Sequence, residues 1–205
     1  MDAVEAVFDN LEAIRQLRKD ETGDIRGRLT ANEEDLLRAA VVFTGAGLDA
    51  ILKRLIRDAL PGLLVANQQA HDKFEGFVAE HLGTGEITDT KMIAKYLTSA
   101  NPREKLIEAY IYELTGSSLQ SAEEVGRVAG ALGINDEGLR KEIVGLKPLF
   151  VARNEISHEL DLQSLEKPGD RTRRTRSMTP TKNICHEGFK VGQLIVNDVG
   201  NQLNG

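Results

Sequence analysis

The sequence predicts an all-α fold, a multi-helix bundle with a polar motif on a long late helix. Three observations predict it. Apolar residues recur at three- and four-residue intervals through segment after segment, the spacing that gathers one face of an α-helix. Helix-start residues (Thr, Ser or Asn followed by Glu) and helix-stop residues (Gly and Pro) punctuate those segments. No run of alternating apolar residues is bounded by hairpin turns, and no period of roughly 20 to 50 residues recurs, which excludes a solenoid.

In chain order, Val4, Val7, Phe8, Leu11, Ile14 and Leu17 predict a first helix over Ala3–Lys19, and Glu21–Arg28, with Gly23 and Gly27, reads as a loop. Thr30 and Glu33 have capping-box spacing and start a second helix reaching Leu60, where Pro61 and Gly62 are expected to stop it. Inside it, Gly45 and Gly47 weaken the helix but let another approach closely. They are not a phosphate loop, because no strand precedes them and no third glycine follows. Asp49, in the same apolar run, reads as a solvated position on the outer face; a buried carboxylate there would need a partner.

Leu63–Leu82 predicts a third helix carrying His71 and His81, read as surface histidines because ten residues separate them. Thr88–Thr98 predicts a short fourth, Asn101-Pro102 starts a fifth that ends near Gly116, and Ser121–Glu124 starts a sixth that Gly133 ends. Asn135 is expected to cap a long segment through Leu139, Ile143, Leu146, Leu149, Phe150, Ile156 and Leu160, kinked or divided by Pro148. Pro168-Gly169 ends regular structure, residues 167–188 form a basic loop, and 189–205 form a C-terminal helix packing on the bundle.

The 205 residues, 40% hydrophobic and 28% charged, suit a single helical domain over 1–205 with one main core. One cysteine, Cys185, excludes an internal disulfide or a cysteine-based zinc cluster. Cys185 and adjacent His186 supply no ligand set, so no metal and no cofactor are expected. With no basic leader and no long unbroken apolar stretch, the expectation is a cytoplasmic protein with no membrane partner. Net charge is −6, yet residues 167–182 carry +5, leaving −11 for the rest; a binding surface is local, so the overall sign does not exclude a polyanion.

The stretch that looks like chemistry is Arg153-Asn154-Glu155-Ile156-Ser157-His158. At ~100° per residue, Asn154 and His158 share a helix face, and Arg153, to one side, is long enough to reach around. A guanidinium binds phosphate through paired hydrogen bonds, an amide orients an oxygen, and an imidazole exchanges a proton near neutral pH. From the residues alone, a solvated or dimer-stabilising polar patch is the competing reading.

These residues resemble the Arg-Asn-x-x-x-His signature of HEPN domains, and Asp35–Phe43 with Leu48–Ala50 resembles the second helix of the HEPN subgroup found near bacterial defence and RNA-modification systems. The resemblance covers Asp2–Leu165 in outline. It implies a metal-independent endoribonuclease whose cleft forms where two motif helices meet in a homodimer. By that resemblance Arg153 stabilises the scissile phosphate, Asn154 positions substrate, His158 is general acid or base, and Asp49 is a possible supporting residue. The products implied are a 2′,3′-cyclic phosphate and a 5′-hydroxyl. The biological role implied is a toxin or antiphage-defence effector, with an antitoxin or defence-system protein as partner. Arg171, Arg173, Arg174 and Arg176 are expected to contact RNA phosphates. Some toxin members carry a tyrosine two residues beyond the histidine; here that position is Leu160. The other class of function is a non-catalytic helical interaction module that binds RNA, a nucleotide or a protein partner.

Overall fold

Helix starts follow local chemistry. Thr30 N–H donates to Glu33 Oε2 at 2.6 Å and Glu33 N–H donates to Thr30 Oγ1 at 3.3 Å, closing the capping box. The computed structural model describes residues 2–23, 28–83, 94, 96, 98–164 and 171–204. Among them the chain forms α1 (Asp2–Thr22), α2 (Ala31–Ala66), α3 (Gln68–Gly83), α4 (Pro102–Thr115), α5 (Ala122–Ala131), α6 (Glu137–Val144), α7 (Lys147–Glu159) and α8 (Met178–Asn204). The described residues hold no strand; an isolated antiparallel bridge pairs Leu162 with Arg173. The fold is therefore all-α, and no helix of the described residues is long and apolar enough to cross a membrane. Most of the Thr88–Thr98 helix, the Pro168-Gly169 stop and the His81 side chain lie outside the described residues.

Several boundaries differ from the pattern. α2 continues through Pro61 to Ala66, because Leu60, Leu63 and Leu64 are buried on either side of the proline and hold the continuation in place. α8 begins at Met178 rather than at Phe189, so residues 178–188 are helix and not loop. Pro180 falls in its first turn, where a missing N–H costs nothing, and the buried stripe runs back through Cys185 to Thr181. The long late segment is divided into α6 and α7, with Pro148 in the first turn of α7. Asp136 rather than Asn135 caps α6, its Oδ1 accepting the Leu139 N–H at 2.6 Å.

Where the pattern suggests one main core, contacts divide the chain into two compact units. The first comprises residues 1–48, 120–122 and 144–191, and the second residues 49–119, 123–143 and 192–205, so α2 and α8 contribute to both. The first unit buries Val4, Phe8 and Leu11 of α1, Leu37, Ala40, Val41 and Leu48 of α2, Leu149, Phe150 and Ala152 of α7, and Cys185 and Val191 of α8. Ile14 and Leu17, expected on the apolar face of α1, are exposed. α8 meets its neighbours closely at Gly188, where a Cβ would stand 2.8 Å from Thr44 Cγ2 and 2.9 Å from Leu149 Cδ2. A side chain there would force three helices apart.

In the second unit Phe74 and Phe77 of α3 pack on Tyr110 of α4, with the Phe77 and Tyr110 ring centroids 4.7 Å apart. Burial pushes the Tyr110 hydroxyl up to about 12, with Glu113 adding to the shift. Asn67, between α2 and α3, caps α3 by accepting the Ala70 N–H at 2.9 Å and donates to Gln202 Oε1 at 2.8 Å. It fits because Gly133 lies opposite: a Cβ on Gly133 would come within 2.5 Å of Asn67 Oδ1. Gly133 has φ +76° and ends α5, with Ile134 N–H bonded to Ala129 O at 3.0 Å.

Candidate functional site

Helix α7 brings the three motif side chains together. Arg153 Nη1 donates to Asn154 Oδ1 at 2.9 Å and lies 3.4 Å from His158 Nε2, a contact in which the guanidinium can only donate and a neutral imidazole accepts. Asn154 Nδ2 in turn donates to Gln120 O at 3.2 Å. Arg153 and Asn154 are half-buried and His158 is exposed, so the group is anchored at its base and open at the imidazole. The reach of Arg153 has a local cause in α2. A Cβ on Gly45 would stand 3.3 Å from Arg153 Cγ, so the missing side chain leaves room for the arginine stem. The close approach expected at the paired glycines thus occurs at Gly45, while the Cβ position at Gly47 meets nothing within 4 Å.

Asp49, read as solvated, is instead partnered within the second unit. Its Oδ1 accepts the Leu119 N–H at 2.9 Å and its Oδ2 lies 2.9 Å from Lys53 Nζ. The carboxylate is employed in fixing backbone and in a helical ion pair.

The arginines expected to meet RNA are largely turned onto their own unit. Arg173 Nη1 contacts Asp35 Oδ1 at 2.5 Å, Arg174 pairs with Glu155 at 3.4 Å and Glu159 at 3.1 Å, and Arg176 Nη2 bonds Glu155 Oε2 at 2.7 Å. Lys182 lies 3.7 Å from Glu12 and 5.8 Å from the centroid of the Phe8 ring. Arg171 is exposed. Arg173, Arg174, Arg176 and Lys182 are therefore matched by carboxylates of α1, α2 and α7, so their charge is complementarity within the chain rather than a bare basic patch.

At the centre of this network lies a residue that the sequence reading did not single out. The Asp161 side chain is fully buried, accepts from Arg38 Nε at 2.7 Å, and is bonded by Arg176 through both carboxylate oxygens. Burial alone would raise its carboxyl, but the hydrogen bonds from Arg176 and Arg38 outweigh burial and hold it below the ordinary carboxylate value. Arg38, itself buried, also reaches Glu34 at 3.2 Å, Asp35 at 3.1 Å and Arg174 O at 2.7 Å. A clue was present in the sequence: acids at 34, 35, 155, 159 and 161 offer five negative charges against the net +5 of residues 167–182.

Elsewhere, Cys185 is buried, which pushes its thiol up, although a hydrogen bond with Thr44 pulls the other way, while His186 Nε2 reaches Glu5 at 3.0 Å. His71, Asp72 and Glu75 on α3 bring possible ligand atoms within 4.8 Å of one another, but the two acids are exposed and the cluster is of a kind common on helix surfaces. A cavity of ≈ 380 Å³ in the second unit is lined by Gln69, Asp72, Lys73, Asn135 and Arg140, among others. No family model, curated protein or solved structure matches the chain.

Proposed function

We propose that the chain is a HEPN-type endoribonuclease that acts as a homodimer, with a role as a toxin or antiphage-defence effector. One observation carries the reading: a single guanidinium, Arg153, reaches both an amide and an exposed imidazole on the same helix. That set suits transesterification of RNA. The ribose 2′-oxygen attacks phosphorus in line, the bond to the 5′-oxygen breaks, and a 2′,3′-cyclic phosphate and a 5′-hydroxyl result without consumption of water. His158 takes the proton from the 2′-hydroxyl or delivers one to the leaving oxygen, and Arg153 binds the non-bridging oxygens as charge builds on them. Asn154, tied to Gln120 O, holds Arg153 in place and faces the substrate.

A second copy supplies the second proton carrier. Support for a covered face comes from Val151, which is 47% exposed and shares the helical face of Asn154 and His158 at i, i+3 and i+7. Purified protein is expected to cut single-stranded RNA in the presence of a chelator, leaving cyclic phosphate ends, and to sediment as a dimer. Binding without cutting would favour the non-catalytic module. Failure to cut any of a diverse set of RNAs would remove the ribonuclease reading.

Gly45 tests the arrangement from the opposite helix. Gly45→Leu improves helix propensity by about 0.8 kcal/mol but places atoms where the Arg153 stem lies. The expected result is unchanged helical circular dichroism with RNA cleavage reduced roughly 10- to 100-fold, since a shift of ~1 Å at a reacting group costs that order. Full activity would show that Arg153 needs no such room.

A further inference from the structure

The end of the motif helix is strained. Leu160 and Asp161, directly after α7, have φ values of 53° and 59°, a left-handed conformation that is unfavourable for residues carrying a side chain. Such a conformation persists only where the surroundings over-determine it. Here Asp161 N–H donates to Glu155 O at 2.8 Å, Asp161 O accepts the Arg174 N–H at 2.7 Å, and the buried carboxylate is taken by Arg38 and Arg176. Glycines could end the helix without strain, and apolar packing of similar volume is as stabilising as a buried ion pair. What a network of arginine forks adds is direction, because each fixes angle as well as distance.

That direction bears on His158. Glu155 lies three residues before it and Asp161 three residues after it, and the Arg176 guanidinium bonds to both: Nη2 to Glu155 Oε2 at 2.7 Å, Nε to Asp161 Oδ2 at 3.1 Å, and Nη2 to Asp161 Oδ1. One side chain thus spans the turn from which the histidine projects. Arg174 adds a second hold on the same turn through Glu155 and Glu159. We propose that Arg176 is a positioning residue for His158: by joining Glu155 to Asp161 across the last turn of α7, with Arg38 securing Asp161 from α2, it sets the direction in which the imidazole leaves the helix. The inference rests on the ribonuclease reading for what His158 does, and on the geometry alone for how it is held.

The test uses Arg176→Lys, which keeps the charge and loses the fork, and Glu155→Gln, a milder change at the other end of the bridge should the first variant not fold. In the folded variants kcat on RNA is expected to fall at least about ten-fold with KM within roughly two-fold of wild type, the pattern of an interaction that acts in the transition state. The imidazole NMR resonances of His158, assigned by their loss in His158→Ala, are expected to move. Unchanged kcat with unmoved resonances overturns the proposal, as does a change confined to KM. If wild type cuts no RNA, the ribonuclease reading fails separately, and the resonances decide alone: moved, the bridge positions His158; unmoved, it does not.

Discussion

His158→Ala is expected to lower kcat/KM on RNA by about 10²- to 10⁴-fold, the usual cost of removing a general acid or base. Because His158 is exposed and meets Arg153 only at 3.4 Å, the fold loses little: a surface substitution changes stability by about 0.5 kcal/mol or less. Arg153→Ala is expected to cost about 10²- to 10³-fold, as removal of an anion-stabilising donor does. Arg153→Lys is not expected to restore it, since an ammonium cannot approach Asn154 and a phosphate in the planar paired geometry of a guanidinium. Steady-state cleavage of a labelled oligoribonucleotide, with thermal melts alongside, separates the two effects. Activity in both alanine variants equal to wild type would sink the site.

The largest effect on stability is expected at Asp161. Asp161→Ala leaves the charges of Arg38 and Arg176 without their shared buried partner, a loss of about 3–5 kcal/mol when one member of a buried pair is removed. Glu34 and Glu155 remain beside the two arginines and place the result near the lower end of that range. Urea unfolding followed by circular dichroism measures it, and a change below about 1 kcal/mol would show that the pair holds nothing. The pH dependence has a defined sign. The folded carboxyl titrates below its unfolded value, so its contribution is complete above the unfolded value and is lost as pH falls through the folded one. The stability gap between wild type and Asp161→Asn should therefore be full at neutral pH and close progressively below about pH 4.

What could be read from sequence and what could not divide along the range of the interactions. The capping box at Thr30 and Glu33, the stop at Gly133 and the convergence of Arg153, Asn154 and His158 are all settled within a few residues, where spacing determines geometry. Gly45 was legible as a place of close approach, but not as the space for the Arg153 stem, because that requires knowing which helix lies opposite. Pro61 misled since its missing hydrogen bond is a local penalty, while the burial of Leu60, Leu63 and Leu64 that outweighs it is collective. The arginines of 171–176 were legible as charge and illegible as partners: Arg38 and Asp161 are separated by 123 residues. For the same reason Asp49 could be recognised as needing an explanation, but not as the acceptor for Leu119, 70 residues on.

The discontinuity of the motif-bearing unit also governs when that unit can exist. It draws on residues 1–48, 120–122 and 144–191, so α1 and the first part of α2 leave the ribosome long before the helices that complete their core. Synthesis at roughly 5–20 residues per second leaves a delay of several seconds in which Phe8, Leu11 and Leu37 have no final partners. Arg153 and His158 are synthesised before Cys185 and Val191, which complete the core of the unit. A nascent chain bearing the whole motif is therefore still short of the fold that orients it, and a break at any single peptide bond between residues 49 and 143 separates parts of one core rather than releasing it intact.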